Sequence, residues 1–122
     1  MSVSTHDDLW GPSQDFRRDR LTVAFVTSLV ALATDVPARD IAARTRTTSA
    51  ATRARQMAIY LTHIALAWPM WRVAAAFNRD RSTASHAVHA IEDLRDDPAF
   101  DNRLSELEAC IRQAPESPAV TS

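Results

Sequence analysis

Residues 70–95 read MWRVAAAFNRDRSTASHAVHAIEDLR, two helically spaced apolar runs around a short polar turn. Val73, Ala74 and Phe77 recur at helical spacing over about 70–77. Ala84, Ala87, Val88, Ile91 and Leu94 do the same over about 82–95. Asn78-Arg79-Asp80-Arg81 forms a tight turn between them, with Asp80 or Ser82 placed to cap the second helix. Two helices joined by about four residues have the proportions of a helix-turn-helix, a motif whose second helix enters the DNA major groove by its N-terminal end.

The flanking sequence also reads as helix. Upstream, Phe25, Val26, Leu29, Leu32 and Ala33 suggest one apolar face on a helix over about 17–34. Pro37 starts a short helix ending near Arg44, with Ile41 as its anchor. Arg44 to Ser49, RTRTTS, is a basic, hydroxyl-rich loop. A long helix over about 50–66 buries Ala54, Met57, Ala58, Leu61 and Ala65. Downstream, Pro98 closes the motif, and a last helix over about 99–112 carries Phe100, Leu104, Leu107 and Ile111, expected to pack back on the domain. No stretch shows the β-branched alternation of a strand. The expectation is an all-α, compact five- to six-helix domain over 17–112, between polar tails at 1–16 and 113–122 that lack periodicity.

Composition narrows the chemistry. The 122 residues include 22 Ala, 14 Arg and no Lys, one Gly (Gly11) and one Cys (Cys110). Without Lys there is no Schiff-base lysine and no phosphate-loop lysine, and a single Gly excludes glycine-rich phosphate loops. A single Cys excludes a disulfide framework and suits a reducing compartment. The 1–15 stretch has no apolar run of a signal peptide, and the apolar-rich stretch 21–33 is shorter than the roughly 20 residues a membrane helix needs. A cytoplasmic, nucleoid-associated chain without integral membrane association is expected. No paired carboxylates, activated nucleophile or metal set stands at usable spacing, so no enzyme, no cofactor and no metal are expected.

Charge is unevenly spread. The formal net charge is −1. Yet 39–55 holds five Arg against Asp40 alone, and 72–81 holds Arg72, Arg79 and Arg81 against Asp80. The 92–116 stretch has eight acids against Arg95, Arg103 and Arg112. A basic centre followed by an acidic end suits a nucleic-acid face with the acids turned away. At the N-terminal end of the second motif helix stand Arg79, Asp80, Arg81, Ser82 and Thr83, with His86 one turn on, all able to reach base edges or phosphate. Arg forks onto guanine, and a Thr methyl touches thymine. Arg44 and Arg46, on the loop, suit the minor groove or the backbone. Thr48 and Arg53, beside that loop, join this second set.

Three segments carry a resemblance. Arg53 to Leu61, RARQMAIYL, is similar to an R-x-R-Q-x-A-M-Y-L helix; Val73 to Phe77 to I-G-x-x-F; and Arg79 to Ala87, RDRSTASHA, to the signature R-D-H-T-T-V-x-H-A. In this order and spacing, Leu21 to Ile111 resembles the C-terminal DNA-binding domain of the bacterial chromosomal replication initiator family. The resemblance implies that Asp80, Arg81, Ser82 and Thr83 occupy base-reading positions. It also implies that Arg44 and Arg46 lie in the minor-groove loop, and Arg55 and Gln56 beside the DNA backbone. The chain departs in having Asn78 for a Gly-Gly pair, Arg81 for His, Ser82 for Thr, and Thr45, Thr47, Thr48 and Ser49 where the family often has basic residues. It reads as the family's DNA reader without its ATPase module.

The function this implies is sequence-selective binding of double-stranded DNA, as a bacterial transcriptional regulator or an occupant of initiator-type sites. The alternative is a protein–protein adaptor that keeps the fold and has lost specific DNA binding. Trp68 and Trp71 have two readings, ordinary core or an exposed patch for self-association or a protein partner. His86 and His89 read as a DNA-facing or solvated pair ahead of a metal pair. Contact of Arg17, Arg18 and Arg20, before an apolar helix, with acidic lipid is a reading the resemblance implies and is the less favoured one.

Overall fold

The structure, a computed structural model, describes residues 14–45 and 48–114. Among these, six helices follow one another with no strand: α1 Gln14–Thr34, α2 Ala38–Ala42, α3 Ser49–Ala65, α4 Met70–Phe77, α5 Arg81–Leu94 and α6 Pro98–Gln113. The all-α reading and its helix-turn-helix, α4–α5, hold. Arg46 and the 1–13 and 115–122 stretches lie outside the described residues.

Helix α3 is the axis of the domain and touches each of the other five helices. Its burial is correspondingly broad. Besides the expected Ala54, Met57, Ala58 and Leu61, it buries Ala51, Ile59, Tyr60 and Thr62. A helix covered on several sides has no single apolar stripe, so the periodicity understates it. Thr62 satisfies its hydroxyl by donating to the Ala58 carbonyl. Ile41, Val73, Ile91 and Leu104 close the core around α3.

The face of α1 corrects the sequence reading. Val23, Val26 and Val30 are buried with Asp19 and Thr27, while Phe25 is 44% and Leu32 84% exposed. Apolar residues occupy several sides of α1, so spacing fits more than one register. The register is fixed by Asp19, whose carboxylate accepts two hydrogen bonds from Arg72 of α4, 2.8 and 2.9 Å. Such a fork gives geometric specificity as well as attraction.

Helix ends are set without glycine. Asp35, Ala67 and Asn78 each take φ near +60°, the left-handed region. Asn78 is the one that matters for the site. At φ 57° it ends α4, its N–H donating to the Ala75 carbonyl and that of Arg79 to the Ala74 carbonyl. Asn tolerates this conformation better than other non-glycine residues, which lets it close the turn. At the far end, Asp97 rather than Pro98 punctuates the chain. Its carboxylate accepts from the Phe100 N–H, and Pro98 opens the first turn of α6. Leu104, Leu107 and Ile111 then pack α6 onto the core, as expected.

Candidate nucleic-acid interface

Helix α5 separates its residues cleanly. Ala84, Ala87, Val88 and Ile91 are buried, whereas Arg81, Ser82, Thr83, His86 and His89 are exposed. Asp80 is the N-cap by backbone, its carbonyl accepting from the Ala84 N–H, but its carboxylate makes no capping bond. That carboxylate therefore faces outward at the end of the helix where the backbone N–H groups also point. Among the described residues no ion pair engages Arg44, Arg53 or Arg81.

Beside this end lies a depression of about 380 Å³ lined by Arg44, Arg55, Asn78, Arg79, Asp80 and Thr83. It joins the start of the basic loop, the first turns of α3 and the α4–α5 turn, three segments far apart in sequence. Two of its arginines are braced. Arg55 donates through Nε to the Ile41 carbonyl, 2.7 Å, and through Nη2 to the Asp40 carbonyl, 3.0 Å. Arg79 donates through Nη2 to the Ala43 carbonyl, 2.7 Å. Both guanidiniums thus bond carbonyls at the C-terminal end of α2, where the dipole attracts cations. Partial burial, followed by the nearby charges of Arg55 and Arg44, holds Arg79 below the ordinary arginine pKa. Burial does the same for Arg55.

Several candidates are placed differently from their sequence grouping. Arg79, grouped with the groove readers, is half-buried and tied to the loop by its bond to Ala43. Thr48 uses its hydroxyl oxygen as the N-cap of α3, accepting from the Ala51 N–H at 3.1 Å. Arg53 is exposed on α3, and Gln56 is half-buried. The tryptophans separate: Trp68 is only 7% exposed, with Arg72 stacked over its ring at 3.9 Å, so it cannot belong to a surface patch. Trp71 is 60% exposed. His86 and His89 gain no third ligand, as no group of three His, Cys, Asp or Glu gathers among the described residues. No helix is long and apolar enough to cross a membrane among them.

The acidic end of the chain is organised by Arg95, just past α5. Arg95 donates to Asp101, Glu108, Ser105 and the Tyr60 hydroxyl. Partial burial lowers its pKa, and the hydrogen bonds to Asp101, Glu108 and Tyr60 more than reverse this, leaving it above the ordinary value. Two of the eight acids are thereby neutralised against the C-terminal end of α5, opposite the Arg81 end. Sequence reasoning missed this residue. The signal present was an Arg in the last turn of a helix, followed by acids.

The architecture is that of a helix-turn-helix DNA-binding domain. The family described as the bacterial dnaA protein helix-turn-helix matches residues 23–91, and the chain belongs to that family. The fold is similar to a crystal structure of a DNA replication initiation factor, with 26% identity and TM-score 0.68, covering 79% of this chain and 30% of that one. It is likewise similar to the replication initiator DnaA bound to AMPPCP and single-stranded DNA, with 25% identity and TM-score 0.68, covering 79% of this chain and 29% of that one. The chain spans about 30% of the length of these solved chains. No curated protein matches it by sequence.

Proposed function

We propose that this domain binds double-stranded DNA with sequence selectivity, α5 lying in the major groove with Arg81, Ser82 and Thr83 at base edges. The observation that carries the reading is the division of α5. Its N-terminal end presents Arg81, Ser82, Thr83 and His86 to solvent, with an Asp80 carboxylate that makes no capping bond, beside a depression lined by three arginines. A duplex meeting that end finds donors and acceptors for bases inside the groove and positive charge for the flanking strand. In this reading Arg44, with Arg46 of the same loop, is assigned to the adjoining minor groove, and Arg53 and Gln56 to the backbone. His86, one turn into α5, reaches the same groove. The acid-bearing stretch begins at the other terminus of α5, away from Arg81, Ser82 and Thr83, and is expected to face away from the phosphates.

A domain of this kind acts on chromosomal DNA in the cytoplasm, as a transcriptional regulator or by occupying initiator-type sites. Membership of the dnaA helix-turn-helix family supports this over the adaptor reading, and Trp68, one of the two tryptophans read as a possible protein-binding patch, lies in the core. The test is selection of bound duplexes from a random pool, followed by titration on the selected and a scrambled duplex at several salt concentrations. Selective binding with a negative log–log salt slope is expected. Equal affinity for both duplexes would show a merely electrostatic contact.

A further inference from the structure

We infer that Trp71 is a DNA-backbone contact, its indole seated on the strand at the rim of the groove that α5 occupies. The inference rests on the DNA-binding reading above and adds a residue to it.

Three observations lead there. First, Trp71 is 60% exposed on a helix that buries Val73, Ala74 and Ala76 in the core. Second, Trp71 and Ala75 are exposed at i and i+4, one face of α4, and exposed Asn78 follows them as the C-cap of the same helix. Asn78 lines the arginine depression beside Thr83. Seven residues of helix rise about 10 Å. A major groove is about 12 Å wide. With the N-terminal end of α5 in the groove, the Trp71 end of that face therefore lies at the groove's edge, over a sugar-phosphate strand. This is where the first helix of such a motif crosses the backbone. Third, the neighbouring side chain cannot take that role. Arg72 is tied to Asp19 and stacked on Trp68, so it anchors α4 and leaves Trp71 as the large group offered outward.

The chemistry fits a strand rather than a second copy of the chain. An indole has an apolar face for a deoxyribose and an Nε1–H donor for a phosphate oxygen. One aromatic ring of about 150–250 Å² flanked by Ala75 and Asn78 falls far short of the roughly 800 Å² per partner of a stable interface.

The experiment uses a Trp10→Phe chain, which keeps buried Trp68 and exposed Trp71 as the fluorophores. Acrylamide quenching is measured without DNA, with a duplex selected from a random pool, and with its scrambled counterpart. Trp71→Ala and Trp71→Phe are titrated on both duplexes across salt. Expected are loss of the quenchable emission on binding and an affinity about 3–10-fold weaker for Trp71→Ala on both duplexes. Trp71→Phe should lie between, the salt slope should stay unchanged because no cation is removed, and the thermal midpoint and monomer mass should match the parent. Unchanged quenching on a duplex that demonstrably binds, or wild-type affinity of Trp71→Ala, overturns the inference and leaves the DNA-binding reading standing. A mass shift on Trp71→Ala overturns it in favour of self-association. If neither duplex binds the parent chain at all, the DNA-binding reading itself fails and the inference with it.

Discussion

Arg79 of the helix-turn-helix turn donates to the carbonyl of Ala43, 2.7 Å away, at the start of the basic loop. The two residues are 36 positions apart, and the bond ties the loop that bears Arg44 to the N-terminal end of α5. Arg55 makes the parallel tie from α3 to the Asp40 and Ile41 carbonyls. Two elements that would lie in different grooves are thus held at a fixed separation before any DNA arrives, which lowers the ordering cost of binding.

Arg79→Met should cost about 1–2 kcal/mol of stability, the range of a partly buried hydrogen bond from a charged donor. Amide exchange should quicken at Arg44 and Thr45 and stay unchanged within α5. Urea denaturation and exchange by NMR check both. Equal quickening along α5 would mean that Arg79 supports the whole motif rather than the loop.

The exposed residues should divide base reading from charge. Arg81→Ala or Thr83→Ala should cost about 1–3 kcal/mol on the selected duplex and much less on a scrambled one. Arg53→Ala should weaken both duplexes alike and make the salt slope shallower by roughly one unit if one phosphate contact is lost. Arg53 is the cleaner probe of charge, because Arg55→Ala would also unfasten α2. Titrations across salt separate the two classes of residue.

Arg95→Ala should destabilise the domain by about 2–4 kcal/mol, measured by urea denaturation. It strips Tyr60 of a donor and leaves the buried Glu108 carboxylate with Arg112 at 3.4 Å as its remaining ion pair. Adding Glu108→Gln should recover part of the loss, since the uncompensated charge goes with it.

Ala67→Gly should raise stability by about 0.5–1 kcal/mol. Ala67 sits at φ 59° after α3, where its Cβ is strained and glycine is not. The gain is reduced by the greater freedom of glycine in the unfolded chain. A higher urea midpoint with an unchanged m-value is the expected result.

The helices, the motif and the family signature were legible from residue order alone, because they depend on local spacing. Val73 and Ala74, the stripe from Ala84 to Ile91, and the RDRST run needed no long-range partner to be legible. Which face of α1 turns inward emerges only on folding, since its apolar residues fit several registers until Asp19 meets Arg72. Folding separated Trp68 from Trp71, three positions apart, by stacking Arg72 on Trp68 alone. It also divided the arginines into two kinds. Arg55 and Arg79 look like Arg53 and Arg81 in a sequence, but only the folded chain brings the carbonyls of Asp40, Ile41 and Ala43 within their reach. A guanidinium's role is set by the acceptors around it, and those acceptors come from residues 14 to 36 positions away.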